Sequence, residues 1–264
     1  MARGVFRCKA CHGNTSLTAG TVFQDTRKPL RTWFLAMWFT TSQKNGVSAL
    51  GLQRVLGLGS YETAWTWMHK LRRAMVRPGR DRLTGEIEVD ETYVGGPEEG
   101  KRGREIEKKS IVVVAAEKNG RGIGRIRLRR VKDVSAMSLL DFIRETVEPG
   151  ATIHTDGWKG YAGLPAAGYK HRVTVISGGD EQAHEVMPRV HNVASLLKRW
   201  LRGTLQGGVQ QQHLDYYLDE FTFRFNRRRS NARGLLFHRL AQQAVAVSPA
   251  PYGSIVRGGS VPGA

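Results

Sequence analysis

Residues Ser110–Ala116 read Ser-Ile-Val-Val-Val-Ala-Ala, a nearly continuous apolar run. A run that short and that apolar suits a strand covered on both faces, because a strand with one wet face alternates. The segments around it do alternate. Glu86-Ile87-Glu88-Val89-Asp90 precedes it, and Ile123–Val131 follows it with apolar and basic residues in turn. Ala151–His154 and His171–Ile176 are further strand-like segments. Ser135–Val147 has helical periodicity, with Ser135 as its N-cap. A short helix is expected near Tyr161, and Leu196–Leu201 and Leu214–Phe225 read as helices. The expected class is α/β, a mixed sheet with flanking helices.

The chain before this region has a different pattern. In residues 30–76, Trp33, Phe34, Met37 and Trp38 fall at helical spacing, and Val47, Leu50, Leu52, Val55 and Leu56 make a second apolar stripe. Gly57-Leu58-Gly59 breaks the stripe, and Ser60 is an N-cap for a third helix, Tyr61–Met75. Two helices joined by a short Gly-containing turn match a helix-turn-helix. The third would be the recognition helix, with Lys70, Arg72 and Arg73 able to meet phosphates or base edges. The tryptophans Trp33, Trp38, Trp65 and Trp67 read as helix core. Arg77-Pro78-Gly79-Arg80 reads as a linker. Domain limits are therefore expected at 1–29, 30–78, 79–240 and 241–264, the last a disordered Gly/Pro/Ser tail. Gly95–Lys109, rich in Gly, Glu, Lys and Arg, is expected to be a mobile loop.

Lys and Arg number 41 against 23 Asp and Glu, a formal net charge of +18. A field of that sign favours a polyanion, and nucleic acid is the commonest. An anionic membrane fits less well, because the basic residues are spread along the whole chain. No apolar run approaches the roughly 18 residues that span a bilayer. Cys8 and Cys11 are the only cysteines. They are too few for a disulfide scaffold and suit the cytosol. Cys8-Lys9-Ala10-Cys11 before Gly13 resembles one knuckle of a zinc ribbon, whose four ligands come as two knuckles. Zn²⁺ at these two cysteines is a possibility that needs further donors, and a second knuckle upstream would supply them.

Two carboxylates carry the chemical argument. Asp90 sits late in the first strand of the sheet, and Asp156 follows directly on the strand ending near His154. Phosphoryl transfer on DNA uses two divalent ions about 4 Å apart. Mg²⁺ takes carboxylate oxygens and keeps some waters, so acidic groups must converge on it from different elements. Neighbouring strands would bring Asp90 and Asp156 together.

Four blocks resemble a known family. Ile87-Glu88-Val89-Asp90-Glu91-Thr92-Tyr93-Val94-Gly95-Gly96 is similar to the first catalytic block of DDE-type insertion-sequence transposases with an N-terminal zinc ribbon. His154-Thr155-Asp156-Gly157-Trp158-Lys159-Gly160-Tyr161 resembles the second, and Ser195-Leu196-Leu197-Lys198-Arg199-Trp200 the third. Tyr217–Phe221, continuing through Phe223-Arg224-Phe225-Asn226-Arg227-Arg228, resembles the helix that closes the domain. The likeness runs from about Phe6 to Leu240. It implies a ribonuclease-H-like fold, which the strand and helix order also suits, behind a small helix-turn-helix region. It implies Asp90 and Asp156 as the first two metal carboxylates and Lys198 as the basic residue after the third. The family's Glu seven residues before that Lys is replaced here by His191. Neutral imidazole binds divalent metals, and suits Mn²⁺ or Zn²⁺ better than Mg²⁺. Glu185 is the alternative third ligand, against which Pro188 argues because a helix would have to begin earlier.

The expected activity is DNA transposition with two Mg²⁺ or Mn²⁺ ions. Double-stranded DNA is the expected partner, both terminal inverted repeats and target. A homodimer or higher assembly would form on the DNA, in the cytoplasm at the nucleoid. Arg199, Arg224, Arg227 and Arg228 are candidate phosphate contacts. Alternatives are a decayed copy that binds DNA without cutting and a structure-specific nuclease. Trp158 is open between packing on the DNA strand and packing in the core. His171 and His213 read as structural or DNA-facing.

Overall fold

The computed structural model describes residues 4–77, 79–95, 109–174, 186–205 and 209–258. The chain divides into two compact units, one of Met1–Pro78 with Ser230–Ala264 and the other of Gly79–Arg229.

The first unit opens with a hairpin of β1 (Val5–Arg7) and β2 (Asn14–Ser16), and Cys8 and Cys11 lie exposed in its turn. Backbone N–H groups of Cys11 and Ala10 point at the Cys8 sulfur and lower its pKa. Three helices follow: α1 (Leu30–Ser42), α2 (Ala49–Leu56) and α3 (Tyr61–Arg73). Ser48 and Ser60 cap α2 and α3, accepting the N–H of Gly51 at 3.0 Å and of Thr63 at 3.1 Å. Gly57 ends α2 in the left-handed conformation, φ 60°, which glycine adopts at little cost. Trp33 stacks on Trp67 at 3.7 Å in the core.

The C-terminal segment departs from the expected disordered tail. Residues 233–246 form α7 (Arg233–Ala246) and residues 252–256 form α8 (Tyr252–Val256). Helix α7 packs on α1 and α8 on α3. The boundary expected at 240 therefore lies at Arg229, inside the basic run. The cause is apolar periodicity at Leu236, Leu240 and Ala244, all buried, within otherwise polar sequence.

The second unit is a five-stranded sheet of order β5-β4-β3-β6-β7. Its strands are β3 (Glu86–Val94), β4 (Ser110–Asn119), β5 (Gly122–Val131), β6 (Thr152–Thr155) and β7 (Lys170–Val173). The first three form an antiparallel meander, and β6 and β7 add parallel to β3. Helix α4 (Ala136–Thr146) crosses from β5 to β6 and covers one face; its N-cap is Ser135. Helices α5 (Pro188–Leu205) and α6 (Leu214–Asn226) cover the other. The helix expected near Tyr161 is a single 3₁₀ turn, Lys159–Tyr161. A three-stranded meander continued by two parallel strands, with helices on both faces, is the ribonuclease-H-like arrangement. Between β3 and β4, only Gly95 and Lys109 of the expected loop are among the described residues; Glu185 is outside them.

Strand alternation builds two cores. Ile87, Val89, Val113, Ala115 and Ile153 pack under α4 with Leu139, Phe142 and Ile143. Val112, Val114, Ala116, Ile126 and Leu128 pack under α5 and α6 with Val193, Leu197 and Phe221. The run at 110–116 is apolar because its side chains serve both.

The register of β4 against β5 shifts between Ala116 and Lys118. There Glu117 accepts Nε and Nη2 of Arg125 at 3.1 and 2.9 Å and the Thr84 N–H at 3.0 Å. Burial alone would raise its pKa; these bonds outweigh burial and lower it from 4.5 to about 2. A depressed folded-state pKa stabilises the fold above the unfolded value, and that contribution is lost as pH falls. Acid unfolding should accordingly steepen between about pH 4.5 and 2. Glu117→Gln should flatten that limb in a circular-dichroism titration. An unchanged limb would remove Glu117 as its source.

Candidate active site

Glu86, Ile87 and Glu88 of β3 lie level with Thr152, Ile153 and His154 of β6. That pairing ends at Glu88 and His154, and Asp90 and Asp156 each follow two residues after it, Asp156 just beyond the end of β6. Ile87 and Val89 face α4. Glu88 and Asp90 consequently face α5, since successive strand side chains point to opposite faces. One oxygen of each aspartate is held by a backbone N–H. Asp90 Oδ1 accepts from Glu91 at 2.8 Å, and Asp156 Oδ1 accepts from Trp158 at 3.0 Å.

Helix α5 starts at Pro188, a residue suited to a first helical turn. His191 lies in that turn, with Nε2 3.8 Å from Asp90 Oδ2. Lys198, seven residues on, shares its helix face. Burial lowers the Lys198 pKa, and Arg202 and Lys109 push the same way while Asp90 opposes them. On the opposite face of β3, Glu91 accepts the Tyr161 hydroxyl at 2.6 Å. Tyr161 is buried, and burial, Glu91, Asp90 and Asp156 together raise its pKa well above the ordinary value. Its bond ties the loop after Asp156 to the strand of Asp90.

His191 thus stands beside Asp90 at the start of α5, while Asp156 follows the strand paired with that of Asp90. Among the described residues, no group of three or more His, Cys, Asp or Glu side chains is close enough to hold a metal as it stands. Two carboxylates, each with one oxygen held by a backbone N–H, and an imidazole are nonetheless donors of the chemistry that Mg²⁺ or Mn²⁺ accepts with water completing its shell.

The basic residues singled out from the sequence fare differently. Arg72 is only 2 % exposed, so its guanidinium is not offered to a DNA groove. It falls on the same side of α3 as buried Met68, one turn before it. Lys70 and Arg73 are half-buried, and burial lowers the Lys70 pKa. Arg224 is ion-paired with buried Glu220 at 2.8 Å. Arg227 lies over the Phe223 ring and Arg228 over the Phe225 ring, each at 4.0 Å. Arg228 also donates to the carbonyls of Ile123, Gly124 and Phe225. Arg228 thus fastens the end of α6 to the start of β5, while Arg224 and Arg227 pack back along their own helix, roles their sequence run does not reveal. Arg199 is exposed. Trp158 donates its indole N–H to the Val134 carbonyl at 2.9 Å and packs against the core under α4. His171 bonds Thr155 at 2.9 Å, and His213 is buried.

Sequence reasoning missed Glu88, Glu91, Tyr161 and Arg189. Alternation made Glu88 read as facing water; only the burial of that face in the structure shows that it must find partners.

Residues 82–226, more than half of the chain, match the model of the ISXO2-like transposase domain. The chain is 27% identical over 238 residues to a Halobacterium salinarum protein described as an uncharacterized protein in transposable element ISH50, covering 83% of this chain and 77% of that one. Among solved structures, it is similar to a chain of the Mos1 strand transfer complex, with TM-score 0.35, 10% identity, and 90% and 82% of the two chains covered. It is also similar to a chain of the simian T-cell lymphotropic virus intasome bound to PP2A regulatory subunit B56 gamma, with TM-score 0.36, 13% identity and 72% of this chain covered; it spans 65% of that chain's length. The chain belongs to the ISXO2-like transposase domain family.

Proposed function

We propose that the protein catalyses DNA transposition, binding terminal inverted repeats, cutting a phosphodiester to expose a 3′-hydroxyl and joining that hydroxyl to target DNA. The observation that carries this reading is the parallel pairing of β3, which holds Asp90, with β6, which leads into Asp156, together with His191 Nε2 3.8 Å from Asp90 Oδ2. Asp90, Asp156 and His191 would hold two divalent ions, Mg²⁺ or Mn²⁺. When bound, such ions would supply activation of an attacking oxygen and charge stabilisation of a leaving one, with no need of a covalent protein intermediate. The chain's own residues orient these donors: backbone N–H groups fix both carboxylates, and Glu91 with Tyr161 ties the Asp156 loop to β3. Lys198, on the His191 face of α5, supplies positive charge for a phosphate. The helical unit reads repeat DNA through the exposed parts of α2 and α3, and Arg199 adds a phosphate contact. Two chains bring two DNA ends together, in the cytoplasm at the nucleoid. Cys8 and Cys11, whose hairpin turn aims two N–H groups at one sulfur, would need two further donors to hold Zn²⁺.

Among the described residues, no helix is long and apolar enough to cross a membrane.

His191 is the point to test, because it departs from the family's carboxylate. His191→Ala should abolish cleavage of repeat-ended DNA and leave binding intact. His191→Glu should keep activity and shift preference from Mn²⁺ toward Mg²⁺, since carboxylate is the harder ligand. If His191→Ala cuts at the wild-type rate and Glu185→Ala does not, the third ligand is Glu185. Cutting without joining would make the protein a nuclease, and binding alone an inactive copy.

A further inference from the structure

Glu88 stands two residues before Asp90 on the same face of β3 and is 5 % exposed. Its Oε2 accepts the backbone N–H of Arg189 at 2.7 Å and of Val190 at 3.1 Å. Its Oε1 accepts Nη1 of Arg189 at 2.6 Å. Those two N–H groups belong to the first turn of α5, where the helix offers no internal acceptor. A carboxylate there also complements the helix dipole. The Arg189 guanidinium continues to the carbonyls of Gly122 at 3.1 Å and Gly120 at 3.2 Å, in the turn between β4 and β5. The residue after Val190 is His191. One carboxylate on the strand of Asp90 therefore grips the two residues that precede His191.

We propose that Glu88 is a positioning residue for the candidate site, setting the spacing of His191 from Asp90 by holding the first turn of α5 against β3. This rests on the reading of Asp90 and His191 as donors to the same divalent ion. A buried ion pair adds little net stability over an apolar pair of the same volume. Three directed, charge-assisted hydrogen bonds specify geometry instead. Glu88 touches neither DNA nor metal in this account and acts only through the helix.

The test is a double-mutant cycle in Mn²⁺ affinity, measured by calorimetry on the full-length chain. Glu88→Gln keeps the size but turns an amide donor toward N–H donors. It should weaken Mn²⁺ binding by about ten- to a hundredfold, the range for residues that orient metal ligands. In a His191→Ala background, Glu88→Gln should cause no further loss. A merely structural role would lower the thermal midpoint and reduce affinity by the same factor in both backgrounds, and that additivity overturns the proposal. Wild-type Mn²⁺ affinity in Glu88→Gln, with Asp90→Ala and His191→Ala both weakened, overturns the positioning role and leaves the site reading intact. Wild-type affinity in His191→Ala removes His191 as a donor, and the proposal falls with it. Wild-type affinity in Asp90→Ala sinks the carboxylate reading itself. If Glu88→Gln does not fold, Glu88→Asp keeps the charge and shortens the reach by one methylene. The same weakening and the same non-additivity are expected of it.

Discussion

Asp90→Asn and Asp156→Asn should each lower cleavage of repeat-ended DNA by at least about a thousandfold, or ~4 kcal/mol of transition-state stabilisation. Asparagine preserves size and one carbonyl oxygen, so the bonds from Glu91 N–H to position 90 and from Trp158 N–H to position 156 survive. What is lost is the negative charge that draws a divalent ion. Thermal midpoints should therefore stay near wild type, and DNA binding should persist because it is assigned to the other unit. The double variant should be scarcely worse than either single one, because residues that act as a unit are non-additive. Single-turnover cleavage measured in Mg²⁺ and in Mn²⁺ provides the comparison. Activity of Asp90→Asn within tenfold of wild type would remove Asp90 from the site.

Ending the chain at Arg229 should unfold the helical unit. The deleted segment contributes Leu236, Leu240, Ala244, Ala250 and Ile255, all buried. Phe237 packs edge-on against Phe34 and Trp38 at 6.3 and 6.2 Å. The Ala244 carbonyl accepts the Val22 N–H at 3.3 Å. Burying a leucine or isoleucine side chain is worth about 1.5–3 kcal/mol. The three that are lost sum to roughly the whole stability of a small domain, about 5–10 kcal/mol. The fluorescence of Trp33 and Trp67, now stacked in the core, should shift to the red, and repeat binding should disappear. Leu240→Ala is the milder form, with an expected cost of about 2–5 kcal/mol in denaturant unfolding. A truncated chain with native tryptophan emission and intact DNA binding would mean that the C-terminal helices merely decorate the unit.

The elements whose pattern is local were legible in the sequence. Alternation at 86–90 and 123–131 and the apolar run at 110–116 marked the meander. Ser60 and Ser135 marked two helix starts through side chains that reach only three residues ahead. Asp90 and Asp156 stood out because both close strand-like segments. Tertiary structure decided everything that depends on which distant segments meet. It brought residues 233–256 back to the first helices, where the sequence had suggested the end of the catalytic domain up to 240 and a tail from 241. It buried Arg72 and set Arg228 against the carbonyls of Ile123 and Gly124, about a hundred residues away. It also joined Glu88 to Arg189 across about a hundred residues of chain. A charged side chain looks the same in sequence whether it faces water or a partner. Its environment comes from long-range packing, while periodicity and capping come from the backbone's own repeat.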